Sequence, residues 1–186
     1  MQNKRILKLT LSAMFIALGW LLPIVTGNIP TIGKMLSPMH IPVMLAGFIL
    51  GPIYGLIIGF ITPVTRSLFF GFPVLFPNAC AMAFELATYG FMCGLLFRKF
   101  YKKDSNNIKS IYLSLIIAMI LGRVVYGIVK VLFVLAPGQE MITLEVYFNS
   151  ILLSSWPGII VQLILIPLIL IALLKNNRIK ELIING

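Results

Sequence analysis

A succession of apolar runs, each close to the length a helix needs to cross a bilayer and separated only by short breaks, constrains this chain more than anything else. About 20 mainly apolar residues cover the hydrocarbon core. Cut at glycine, proline and charge, the runs predict helices at 5–26, 38–51, 53–70, 77–98, 109–135 and 147–174. That pattern predicts an all-α membrane protein, a six-transmembrane-helix bundle forming one integral membrane domain over residues 1–186. Pro38 to Gly51 is too short to cross upright, and Gly51-Pro52 marks a sharp turn, so the second and third helices are expected to form a tight hairpin. With 60% hydrophobic and 11% charged residues, the composition lies far from that of a soluble domain. The run from Ile6 to Val25 follows a basic start, as in a signal peptide. It is long enough to span and lacks a small-residue cleavage site, so it reads as a retained first helix.

The formal net charge of +10 raises the question of nucleic acid, which requires a basic face on a solvated fold with aromatic residues interleaved. Here the cations gather at the ends of apolar runs, the distribution that the positive-inside rule produces. With a cytoplasmic N-terminus, the inner side receives Lys4, Arg5, Lys8, Arg98, Lys99, Lys102, Lys103, Lys109, Lys175, Arg178 and Lys180, eleven of the fifteen basic residues. Lys34 falls in an outer loop, and Arg66, Arg123 and Lys130 fall inside helices. Both termini are therefore expected in the cytoplasm, with the lipid bilayer as the surrounding partner and no nucleic acid.

Ionisable groups at membrane depth are costly and mark functional sites by default. With this topology Arg66, Arg123 and Lys130 all reach the outer half of the bundle. Asn78, Glu85 and Tyr89 form a polar stripe on the fourth helix, and Arg123, Tyr126 and Lys130, at i, i+3 and i+7, form another on the fifth. His40 stands at the mouth of the second helix, and Asn149, Ser150, Ser154, Ser155 and Trp156 make the outer third of the sixth polar. The inner half is nearly all apolar apart from Gln162. This asymmetry predicts an outward-facing pocket closed towards the cytoplasm, with His40, Arg66, Asn78, Glu85, Tyr89, Arg123, Tyr126, Lys130, Asn149 and Trp156 as candidate substrate-binding residues.

Structural readings compete with each assignment. Arg66 and Lys130 have stems long enough to snorkel to headgroups, Glu85 and Arg123 have opposite charges that suit a bundle-holding pair, and His40 suits a solvated cap. Asn78 behind Pro77 fits a helix cap, and Trp156 fits an interface anchor. Cys80 and Cys93 have no CxxC spacing and no ligand cluster with the single histidine, so they read as core residues, and no metal or cofactor is expected. An intramembrane enzyme needs paired carboxylates, an HExxH helix or a nucleophile with its base, and no such motif occurs, so no catalytic residue is assigned. There is no Walker A loop to power transport.

Ala13 and Ala17 on the first helix are separated by three residues, a spacing that lets another helix approach closely. Together with the stretch from Pro38 through His40, Ile41, Pro42 and Gly47 to Gly51-Pro52, and the run from Ala81 through Glu85 and Tyr89 to Gly90, this pattern resembles the substrate-binding (S) components of energy-coupling factor (ECF) transporters. The resemblance covers nearly the whole chain. It implies the six-helix fold of the riboflavin-binder type in a bacterial cell membrane, with Ala13 and Ala17 docking on a membrane-embedded coupling subunit driven by two cytoplasmic ATPases. It further implies that the segment from Gly27 to Ser37 closes over the substrate, and that the whole subunit topples to release its cargo inward. Three cations against one carboxylate favour an anionic vitamin such as pantothenate, with pyridoxine-related compounds and hydroxymethylpyrimidine close behind. The alternative is a stand-alone secondary transporter using Glu85 as a proton-coupling carboxylate. The lack of a detectable internal repeat weighs against it.

Overall fold

The computed structural model describes residues 2–25, 37–103, 107–134, 156–176, 179–180 and 183. Their principal helices are α1 (Gln2–Val25), α2 (His40–Leu50), α3 (Pro52–Phe70), α4 (Cys80–Lys103), α5 (Asn107–Val134) and α6 (Trp156–Leu174), with one π-helical turn, Leu75–Ala79, leading into α4. Among the described residues, five stretches are long and apolar enough to cross a membrane: Lys4–Ile24, Pro52–Phe70, Leu75–Tyr101, Ile108–Phe133 and Trp156–Leu174. The remaining helix, α2, has 11 residues. At 1.5 Å per residue that is about 16 Å, roughly half the hydrocarbon thickness.

Because α2 is apolar all round, it lies inside the bundle, as a helix without a polar face must. His40 and every residue from Pro42 to Leu50 are buried. Helix α4 packs against α2, α3 and α5, α1 covers α2 and α3, and α6 closes against α5 and α2. The core joins Val43, Met44 and Phe48 of α2 to Leu86 and Phe97 of α4, Leu115 of α5 and Ile166 of α6. Phe48 meets Phe97 edge to face at 5.4 Å. Large apolar side chains such as Leu9, Ile53, Ile120 and Ile164 point out of the bundle, as a lipid-facing surface requires.

Two local features fix the hairpin and the entry to α4. Gly51 has φ of 106°, a conformation that disfavours any side chain, and its N–H donates to the carbonyl of Gly47 at 3.0 Å before Pro52 starts α3. The expected tight hairpin of α2 and α3 is therefore present. The fourth helix, expected from residue 77, instead begins its α-helical course at Cys80. The residue before a proline is driven towards extended geometry, and Phe76 before Pro77 has φ −117° and ψ 134°. At its other end α4 runs on to Lys103, beyond the expected limit at 98, because lysine and arginine are good helix formers once the chain leaves the apolar layer. Residues 147–155 of the expected sixth helix, and the expected lid apart from Ser37, lie outside the described residues.

Candidate functional site

Glu85 is the focus of the polar interior. It stands on α4 and is 2% exposed, in a bundle whose surroundings offer it little solvation. Three side chains meet its carboxylate. Tyr89, one turn further along α4, donates its hydroxyl to Glu85 Oε1 at 2.8 Å. Arg123 Nη1 of α5 lies 3.4 Å from the same oxygen, and His40 Nε2 of α2 lies 3.7 Å from Oε2. The rings of His40 and Tyr89 are 5.4 Å apart, so the tyrosine fills the space between α2 and α5. Neither ring nitrogen of buried His40, nor Nε of Arg123, makes a hydrogen bond among the described residues.

A second polar group extends the first. Lys130 Nζ donates to Asn78 Oδ1 at 2.6 Å and lies 5.9 Å from the centre of the Tyr126 ring. Arg123 and Lys130 are seven residues apart on α5, about 10 Å of helical rise, so α5 presents one cation to Glu85 and the next to Asn78. Asn78 belongs to the π-helical turn, so it reaches this group without sharing a continuous α-helical stripe with Glu85. Its side chain serves Lys130 rather than capping a helix end.

The other expected residues lie elsewhere. Arg66 is buried on α3, donates to the carbonyl oxygen of Trp20 on α1, and has its guanidinium 5.5 Å from the Phe70 ring. Trp20 answers by donating its indole N–H to Thr65 Oγ1 at 3.2 Å and packing edge-on against Phe69. This network joins α1 to α3. Trp156 begins α6 and is exposed, and Asn149 lies outside the described residues. Ala13 and Ala17 are both exposed on α1, which leaves their small-residue face open. Cys93 is buried in the core and Cys80 is half-buried.

Two contributors were not singled out from the sequence. Gly122 lies against the Tyr89 ring so closely that a Cβ there would overlap it, and this glycine gives the tyrosine its place beneath α5. Its signal was the absence of a side chain immediately before Arg123 in a run of large residues. Trp20 had no signal of its own, because an interfacial tryptophan is common whether or not it holds an arginine.

The fold and the polar cluster define a multi-pass helical membrane protein that holds Glu85, His40 and Arg123 among its helices. Over residues 7–173 the chain matches the family described as ECF transporter, substrate-specific component, and it belongs to that family. It is thus the substrate-specific subunit of an ECF transporter, a transport subunit rather than an enzyme, with a small-molecule substrate and an ECF module as partners. No curated protein and no solved structure gives a significant match.

Proposed function

We propose that this subunit captures a water-soluble vitamin or vitamin precursor, pantothenate before others, in the space bounded by Glu85, Tyr89, His40 and Arg123 and extended by Lys130, Asn78 and Tyr126. One observation carries the reading: a buried carboxylate, a buried imidazole and a half-buried guanidinium converge from α4, α2 and α5, while both imidazole nitrogens and the buried Nε of Arg123 have no hydrogen-bond partner among the described residues. Buried polar groups without partners cost about 1–3 kcal/mol each, and a bound polar solute supplies the missing bonds.

Two cations on α5 against one carboxylate favour an anionic solute, its carboxylate drawn to Arg123 or Lys130 and its hydroxyl and amide groups to His40, Glu85 and Asn78. The His40 and Tyr89 rings would equally serve a polar heterocycle, which keeps pyridoxine-type compounds and hydroxymethylpyrimidine next in order. Arg66, Asn149 and Trp156 stay in the proposed substrate-binding set, although Arg66 is engaged with Trp20 on α1. In this reading the chain is one membrane domain with both termini in the cytoplasm of a bacterial cell. Ala13 and Ala17 dock on the coupling subunit, and two cytoplasmic ATPases supply the energy.

The test is a thermal-shift screen of the purified subunit against water-soluble vitamins. A ligand at 100 times its dissociation constant adds about 2.7 kcal/mol of stability, enough to stand out from the panel. A single strong shift with pantothenate is expected. A strong shift with another vitamin corrects the substrate, and a folded protein that responds to none overturns the capture reading.

A further inference from the structure

Thirteen residues beyond Glu85 on α4, about 20 Å by helical rise, Arg98 marks a second feature at the other end of the bundle. A groove of about 430 Å³ opens there between α1, the α2–α3 turn and α4, lined by Lys8, Gly51, Ile53, Tyr54, Ile57 and Arg98 among others. Arg98 Nη2 is hydrogen-bonded to the Leu50 carbonyl at 3.4 Å, and its guanidinium packs so closely on Gly51 that a Cβ there would meet Nη2 at 2.5 Å. The Lys8 ammonium is held 5.2 Å from the centre of the Tyr54 ring. Two cations thus share one groove, and among the described residues none of its lining is acidic.

Its position gives this charge a meaning. Lys8 lies near the start of the apolar span Lys4–Ile24, Ile53 and Tyr54 near the start of Pro52–Phe70, and Arg98 near the end of Leu75–Tyr101. The groove therefore sits where the apolar layer meets the polar interface. Running from it along α3, Ile53 and Ile57 are one turn apart and 67% and 46% exposed, an apolar strip that continues into the layer. Cations at the interface above an exposed apolar strip complement a molecule with an anionic head and a hydrocarbon tail.

We infer that this groove binds an anionic phospholipid, with the headgroup phosphate between Lys8 and Arg98 and an acyl chain along Ile53 and Ile57. A phosphatidylglycerol-type lipid is preferred over a zwitterionic one, because a choline or ammonium group would bring a further positive charge beside two cations. The bound lipid ties α1 to the α2–α3 hairpin, since Lys8 belongs to the first and Ile53 and Ile57 to the second.

Native mass spectrometry of the full chain in detergent, with equimolar phosphatidylglycerol and phosphatidylcholine of matched acyl chains, tests this. The wild type should retain phosphatidylglycerol in preference, and Lys8→Gln should reduce that preference about fivefold while Lys8→Arg restores it. Lys8 is half-buried, so the variants should fold, and their melting temperatures check this. Equal retention of the two lipids, or an unchanged preference in Lys8→Gln, would overturn the assignment. So would complete displacement by millimolar inorganic phosphate, which would make the groove a site for the free anion. Protection of Lys8 from chemical modification by the coupling subunit, with no lipid preference, would assign it to a protein partner instead.

Discussion

Glu85 sets the energetics of the site because its carboxylate is 2% exposed and the side chains that face it, Arg123 and His40, come from two other helices. Breaking a buried pair by removing one partner leaves a charge without compensation, at a cost of about 3–5 kcal/mol. Glu85→Ala and Arg123→Ala should therefore weaken substrate binding, measured by calorimetry, more than Lys130→Ala, whose partner Asn78 is neutral. Equal affinities across the three would sink that ranking. Tyr89→Phe removes a hydrogen bond to a charged acceptor, and its melting temperature should fall by an amount corresponding to about 1.5–3 kcal/mol. The convergence of His40, Glu85, Tyr89 and Arg123 was legible in the sequence because ionisable residues in apolar runs have few tolerable places. Arg66 was grouped with them by depth alone. Depth along a helix axis says nothing of the direction around it, and the side chain in fact holds the Trp20 carbonyl. Nor does it snorkel, being 2% exposed.

Between elements, glycine sets how closely helices approach. Gly55 of α3 and Gly90 of α4 meet backbone to backbone, and a Cβ on either would collide with the other's carbonyl. Helices in lipid have no hydrophobic force between them and depend on such close packing. Gly90→Ala should consequently lower the melting temperature in detergent, with overpacking costing about 1–3 kcal/mol, and it should do so without altering the charges at Glu85. An unchanged melting temperature would mean that α3 and α4 have room to separate. The all-helical class and the short α2 followed directly from run lengths and from Gly51-Pro52. The packing did not, because small residues four apart occur on α1, α3 and α4 alike, and spacing does not reveal which of them meets a neighbour in the same chain. Ala13 and Ala17 have that spacing too, yet both are exposed. The start of α4 was misplaced for a different reason: Pro77 looked like a first helical residue, whereas its effect on Phe76 shaped a π-helical turn.

Taken as a whole, the molecule has a centre and a removable-looking flank. In the most apolar stretch of the Leu75–Tyr101 span 56% of the residues are buried, against 17% in that of Lys4–Ile24, so α4 organises the polar cluster and α1 presents most of its surface outward. A subunit belonging to an ECF transporter must meet its module through an exposed surface, and α1 offers small residues at 13 and 17 on a face set apart from Glu85. Ala13→Trp should accordingly leave substrate affinity within about twofold, as expected for a change at an exposed residue, yet abolish uptake by the reconstituted transporter. Loss of binding together with uptake would show that α1 supports the pocket instead. Orientation supplies the companion test. Eleven of fifteen basic residues lie on the side that carries the N-terminus in the six-crossing topology, so cysteines introduced at Lys4 and Lys175 should resist a membrane-impermeant thiol reagent in intact cells and react in inverted vesicles. Labelling of the two positions from opposite sides would mean an odd number of crossings. The 11-residue α2 would then lie within the bundle without completing a crossing.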